Sequence, residues 1–266
     1  MRLKIEHETK YRYDVPIHSA LQQLRLNPLS GANQQVESWS ITLDNGQVEA
    51  RFSDQFENLV SLAAITPGSE EVTIRCEGIV ETRDQAGVIG KHESQTPLWL
   101  YQKSTRLTKP GPKVRKLISR LRSKPLDPLE KLHALSRHIL KNVAYEIDRT
   151  HSETSSEEAI ELGHGVCQDH SHVFVTAARL LGHPARYTSG YLMLTDSVEQ
   201  AASHAWAEAH VDGIGWVGFD VSNGICPDER YIRVAVGLDY WDAAPISGLR
   251  FGDGDEQMDV SLSVEQ

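Results

Sequence analysis

The sequence predicts an α+β protein with an antiparallel, sandwich-like β domain ahead of a helical and β core. Three observations predict it. The first hundred residues carry period-two apolar patterns broken by turn signals. Helical periodicity runs from Val114 to Leu181, and period two returns from Tyr187 onward. Strands, then helices, then strands indicate segregated α+β rather than an alternating parallel fold.

The elements follow in order. In EVTIRCEGIV, Val72, Ile74, Cys76 and Val80 share one face, so Cys76 reads as a buried core thiol. WSITLDNG ends in an Asn-Gly turn signal, and LVSLAAITPG stops at Pro67-Gly68. TRLTKPGP, residues 105–112, reads as a linker. Val114, Leu117, Ile118 and Leu121 then line one helix face. Asp127-Pro128 supplies an N-cap and a first-position proline for a second helix. Ser155 and Glu158 fit a capping box that opens a third helix, stopped at Gly163. A fourth starts at Cys167 and ends at Gly182. Strands follow at 187–194, 204–211, 215–221, 231–237 and 258–264. The division expected is a β-rich domain over 1–105 and a core over 106–266, with C-terminal strands able to pack back on the first domain.

Composition narrows the function classes. The chain has 266 residues and a formal net charge of −10. That balance argues against a general nucleic-acid partner, which wants a basic surface. Nine basic residues and no acidic one fall between Lys103 and Lys124, and a solvated helix face explains them most simply. No apolar run approaches a membrane span, and the N-terminus has no apolar segment of signal-peptide type. No membrane partner is expected. Three scattered cysteines imply free thiols and a cytoplasmic setting rather than a disulfide framework.

GHGVCQDHSH, residues 163–172, gathers three histidines and an aspartate around Cys167. His164, Cys167, His170 and His172 have zinc chemistry but poor geometry, because His172 lies well round the helix from Cys167. No second ligand pair appears, so neither metal nor cofactor is expected. As a nucleophile the cysteine is better placed. A sulfur at a helix N-terminus meets unpaired N–H groups and the positive end of the dipole, which favour thiolate. The Cys167 amide points the same way and suits an oxyanion.

A thiolate nucleophile wants an imidazole, and the imidazole wants an orienting partner. In SHAWAEAHVDGIGWVGFDVSNG, two strands flank Asp212-Gly213-Ile214. A three-residue loop sets Trp206 opposite Asp220 and makes His204 the diagonal neighbour of Asp220 on the same face. That diagonal is about 7–8 Å between backbones, within reach of a side-chain hydrogen bond. A two- or four-residue loop would separate the pair. Singly each residue has a structural reading: a small core thiol, a surface histidine, a strand-end aspartate. Jointly Cys167, His204 and Asp220 read as a triad.

GVCQDHSHVFVTAARLLGHPARYTSGYL and SHAWAEAHVDGIGWVGFDVSNG resemble the bacterial transglutaminase-like proteins, often described as candidate cysteine proteases. IEHETKYRYDVPIHSALQQLRLNP is similar to the β-rich N-terminal region of that family, and YIRVAVGLDYWDAAPISGLRFG to its C-terminal stretch. The resemblance implies a papain-like core, with Cys167 as nucleophile, His204 as base and Asp220 as orienter. It departs at His170, where the family commonly has an aromatic residue, and at Val221-Ser222, where DPTNG is frequent. His170 is expected in packing or substrate contact rather than catalysis. In the wider superfamily an upstream aromatic residue helps the oxyanion, and Tyr145 is the candidate; its simpler reading is a core tyrosine. Trp206 either walls the substrate channel or covers the His–Asp pair. Gln168 lies inside the motif as a further oxyanion or substrate candidate, and Asp169 suits the helix first turn. Cys226 reads as incidental.

The expected activity is acyl transfer from a peptide or protein substrate through a thioester, ending in hydrolysis or in transamidation to an amine. The rivals are a non-catalytic protein-binding scaffold on the same fold and acetyl transfer from a thioester cofactor.

Overall fold

The computed structural model describes residues 1–194, 199–200 and 202–266. The first strands are β1 (Arg2–Tyr13), β2 (Ser19–Leu24), β3 (Gln34–Asp44), β4 (Gly46–Ser53), β5 (Leu59–Ile65), β6 (Glu71–Thr82) and β7 (Val88–Gly90). Helices α1 (Pro112–Arg122) and α2 (Pro128–Asn142) follow, then β8 (Ala144–Tyr145), α3 (Ser156–Leu162), β9 (His164–Gly165) and α4 (Cys167–Leu180). The chain ends with β10 (Ala185–Leu192), β11 (Glu199–Gln200), β12 (His204–Val211), β13 (Gly215–Phe219), β14 (Tyr231–Gly237), α5 (Tyr240–Ala243), β15 (Ile246–Phe251) and β16 (Glu256–Glu265).

Two sheets form the sandwich, in orders β11-β16-β1-β6-β3 and β15-β2-β5-β4. Alternation along β1 buries Leu3, Ile5, Tyr11 and Tyr13, and Tyr11 and Tyr13 meet Leu24, Ala63, Ile65, Ile74 and Cys76 between the sheets. Cys76 is buried as expected, and burial pushes its thiol up to about 12. The Asn-Gly step is not a hairpin. β3 pairs with β6 and β4 with β5, so Asn45-Gly46 carries the chain from one sheet to the other. The C-terminal strands return to the sandwich: β16 pairs with β1 and β15 with β2.

The second body is an antiparallel sheet, β14-β10-β12-β13-β7, with the helices on one face. β7 reaches this sheet from the N-terminal part of the chain. Ala207 and Ala209 of β12 are small, so α4 packs close, through Val173, Phe174, Ala177 and Ala178. The helix ends follow local chemistry. Asp127 accepts from the Glu130 amide, and Ser155 and Glu158 form the reciprocal box. Losing such a cap costs about 0.5–2 kcal/mol.

Residues 105–112 are a packed strap rather than a loose linker. Leu107 and Thr108 are fully buried. Arg179 of α4 donates to Thr108 Oγ1 and to the carbonyls of Tyr101, Ala185 and Leu238. A guanidinium has five donors, and satisfying it with backbone carbonyls is how a protein buries one. Among the described residues, no helix is long and apolar enough to cross a membrane.

Candidate active site

The site forms where the first turn of α4 meets the heads of β12 and β14. α3 ends at Gly163, and His164–Gly165 then pairs in parallel with Ala144–Tyr145. Gly165 is required by close approach: a Cβ there would stand 2.6 Å from the Asp169 Cβ. Without it, Asp169 folds back under its own helix. Its Oδ2 accepts from the Val166 amide at 2.8 Å and the Thr150 hydroxyl at 2.7 Å. This buried first-turn acid fixes the point at which the helix starts, and Cys167 is the first helical residue. The Cys167 amide is therefore one of the four with no partner inside the helix. The sulfur is half-buried and packs beside Tyr187, Ala205, Ala235, Ala243 and Tyr240.

β12 and β13 are joined by Asp212-Gly213-Ile214, with Val211 opposite Gly215 and Ala207 opposite Phe219. One further step sets Trp206 against Asp220 and leaves His204 on the diagonal. His204 Nε2 donates to Asp220 Oδ2 at 2.7 Å, which leaves Nδ1 for the sulfur of Cys167. Burial disfavours a charged ring here. Hydrogen bonds to Asp220 and Cys167, and the negative charge of both partners, outweigh it and push His204 up to about 10.

Asp220 is fully buried. Burial raises its carboxyl, but its donors and the His204 charge hold it below the ordinary carboxylate value. Besides His204, the Asn223 amide reaches Oδ1 at 3.1 Å, and Asn223 Nδ2 and the Tyr231 hydroxyl reach Oδ2, each at 2.7 Å. Asn223 and Tyr231 were not assigned from the sequence. Asn223, three residues past Asp220 in DVSNG, carries a turn-forming signal. Tyr231 had no signal beyond opening a strand, because its partner comes from a different part of the sheet.

Trp206 is buried and covers the pair. Its ring stacks on His204 at 6.3 Å and meets Tyr231 edge-on at 5.5 Å. Gly190, opposite His204 in β10, makes room, since a Cβ there would fall 2.7 Å from the Trp206 ring. Gln168 is half-buried and donates to the Ser152 carbonyl at 3.1 Å. Tyr145 corrects the expectation of a core tyrosine: it is 52% exposed. β8 pairs it with Gly165, next to the start of α4, and burial and then the charges of Cys167 and Asp220 raise its phenol.

The histidines of α4 go elsewhere. His170 donates from Nε2 to the Val143 carbonyl at 3.0 Å and accepts at Nδ1 from the Ser222 hydroxyl at 2.8 Å. His172 accepts the Tyr240 amide at 3.1 Å, and His164 faces Glu146. Among the described residues no group of three or more His, Cys, Asp or Glu side chains is disposed to hold a metal. Cys226 is half-buried in the loop before Pro227, and burial pushes it up to about 11.

Comparison with known proteins gives this arrangement a family. The model of the transglutaminase-like superfamily matches residues 115–221, and that of the bacterial transglutaminase-like N-terminal region matches residues 3–81. An uncharacterized protein of Mycobacterium leprae is 27% identical over 283 residues, taking in 99% of this chain and 98% of its own length. One from Mycobacterium tuberculosis is 26% identical over 294 residues, covering 99% and 92%. The solved structure of a candidate cysteine protease from Cytophaga hutchinsonii shares the fold, with a TM-score of 0.79 and 23% identity over 100% of this chain and 91% of that one. Residues 115–221 thus match the transglutaminase-like superfamily, residues 3–81 ahead of them match the bacterial transglutaminase-like N-terminal region, and the fold is shared along the whole chain.

Proposed function

We propose that the protein is a thiol-dependent acyl-transfer enzyme that hydrolyses a peptide or amide bond of a peptide or protein substrate. The observation that carries this reading is the chain of contacts from Cys167 through His204 to Asp220 at the start of a helix. The thiolate of Cys167 attacks the substrate carbonyl, and the oxyanion forms beside the Cys167 amide. Tyr145, exposed next to that turn, is the side chain best placed to join it. Imidazolium His204 gives its proton to the leaving amine as the carbon–nitrogen bond breaks, which leaves an acyl-thioester. His204, now neutral, takes a proton from water as water attacks, and the acid and the thiolate are released. Asp220 holds the ring in the productive tautomer and stabilises its charged form. An acceptor amine in place of water would give transamidation by the same steps. Three unpaired thiols support a reducing compartment, the cytoplasm, as its setting.

Iodoacetamide labelling followed by peptide mass spectrometry tests the pair at the centre. Cys167 should alkylate at least tenfold faster than Cys76 and Cys226, and His204→Ala should abolish that preference. A peptide-amide library with and without an added amine then separates hydrolysis from transamidation. If Cys167 labels no faster than the other thiols and His204→Ala changes nothing, the protein is a binding scaffold.

A further inference from the structure

A second polar cluster lies two strand steps along the same face of β12 from His204. Its centre is Glu208, fully buried. The β10–β12 register sets Arg186 directly opposite, and Arg186 Nε donates to Glu208 Oε2 at 2.5 Å. Arg233 of β14 approaches from beyond β10 and donates from Nε to Oε1 at 3.0 Å. Both carboxylate oxygens are thus taken by Nε atoms. Among the described residues neither arginine pairs with any other acid.

The cluster therefore holds two guanidinium charges against one carboxylate. Arg186 is buried with Glu208, whereas the Arg233 side chain is 27% exposed, so the second guanidinium faces open space with no acid of its own and is free to take an anion. Burial would raise the Glu208 carboxyl, yet the arginines beside it hold it below its ordinary value, so it stays a carboxylate. The Arg186 guanidinium lies 3.9 Å from the Trp216 ring centroid, so its plane is fixed by stacking. β14 is fixed as well: Gln34 exchanges two hydrogen bonds with the Arg233 backbone, and Asn58 does the same with Val236.

The two guanidinium groups line a cavity of about 260 Å³ between the core sheet and the sandwich loop 29–34, with Asn58, His92 and Trp216 in its wall. Lys91 adds a positive charge at the exposed rim. The acids Glu57 and Glu93 are also on the rim and exposed, and Glu57 is engaged by the Gln95 amide. Guanidinium forks match carboxylate and phosphate oxygens in geometry as well as charge. The volume falls below that of a typical drug-sized pocket, about 300–1,000 Å³, and suits a small group rather than a peptide.

We propose that this cavity is an oxyanion-binding site, in which Arg186 and Arg233 hold the carboxylate or phosphate group of a small ligand at the junction of sandwich and core. The bound group supplies the second negative charge that Glu208 alone does not. It touches both bodies of the molecule and is separate from Cys167, so the site does not depend on the catalytic reading.

The full-length protein is titrated with inorganic phosphate and, separately, with acetate, at ionic strength held constant with sodium chloride. Melting temperature and tryptophan fluorescence are read, the latter because Arg186 stacks on Trp216. A saturable rise in melting temperature with a parallel fluorescence change is expected for at least one anion. A response to phosphate alone assigns a phosphate site, and a response to both assigns a site that also takes carboxylates. Arg233→Met should abolish saturation. Ala32→Glu, at an exposed position on the rim, leaves the Arg186–Glu208–Arg233 cluster intact and should weaken binding at least tenfold by placing a carboxylate at the mouth. No saturable response to either anion overturns the proposal. So does an unchanged response in folded Ala32→Glu, which would put the bound ion elsewhere.

Discussion

The first turns of α4 and the head of β12 both bury histidines and give them opposite chemistry. His170 and His172 are 1% and 0% exposed, and the His204 side chain is 13% exposed. Burial lowers His170, and lowers His172 to about 4, whereas His204 is pushed up to about 10. Exclusion from water acts in the same direction on all three. The partners differ. His170 bonds a carbonyl and a hydroxyl, and the carboxylates of Asp169 and Asp220 act on it through charge without a hydrogen bond to its ring. His204 bonds a carboxylate and a thiol. Burial sets the cost of a charged ring, and the charge of the bonded partner decides whether that cost is met. A histidine at the site and histidines in the wall can thus come from neighbouring elements without confusion of role.

The most direct way to break this comparison is Asp220→Asn, which keeps the shape and removes the charge. Three donors converge on Asp220 Oδ2 and one on Oδ1, so an amide must turn its own N–H groups toward at least one of them. We expect His204 to titrate well below 10, measured by NMR of the ring protons. Amide hydrolysis should fall by about 10²–10⁴-fold. Stability should drop by about 1–3 kcal/mol, read from urea unfolding, because a buried donor loses its acceptor. Unchanged titration of His204 would mean that Cys167 alone supports its charge.

The next test uses the sign of the shifts. His204 binds its proton more tightly folded than unfolded. Its contribution to stability is complete below about 6.5 and is lost as pH rises through about 10. His172, and His7 buried in β1, are both pulled down to about 4 by burial. Unfolding lets them take up protons, so their contribution is present above about 6.5 and falls away as pH drops toward 4. Urea midpoints measured from pH 4 to pH 10 should therefore decline on both sides. His204→Gln should flatten the alkaline side only. His7→Gln, whose ring bonds Tyr191 and Thr9 far from the site, should flatten the acid side only.

Much of this was legible because it is local. The start of α4, the capping box at Ser155 and the three-residue turn after Val211 are each encoded within a few residues. The diagonal placing His204 beside Asp220 follows from the turn length alone. The rest required strand order. Arg186 stands opposite Glu208 by simple register, but Arg233 joins them only because β14 lies beside β10. Tyr231 reaches Asp220 by the same route. The return of β15 and β16 to the sandwich is a pairing across more than two hundred residues, and no periodicity specifies its partner. The 105–112 segment looks like a linker in composition, yet Arg179, far along the chain, packs it in place. Tyr145 looked apolar enough for a core, but the two-residue pairing of β8 with β9 holds it at the surface.

The smallest expected effect sharpens the comparison most finely. Tyr231→Phe removes one hydroxyl and keeps the ring that meets Trp206 and His204. Asp220 Oδ2 then retains two donors, His204 and Asn223. A hydrogen bond to a buried carboxylate contributes about 1.5–3 kcal/mol, but part of that is recovered because the remaining donors bind a more basic oxygen. A carboxylate with fewer competing donors is also a stronger partner for His204. The ring should therefore titrate slightly higher in Tyr231→Phe, opposite in sign to Asp220→Asn. Activity should fall by no more than about tenfold, in kcat rather than KM, because Tyr231 acts on Asp220 and not on the substrate. A loss as large as that of Asp220→Asn would show that the hydroxyl, not the carboxylate charge alone, holds the His204 ring in place. No change in either the titration or kcat would show that Asn223 is sufficient, and that Tyr231 serves the sheet rather than the site.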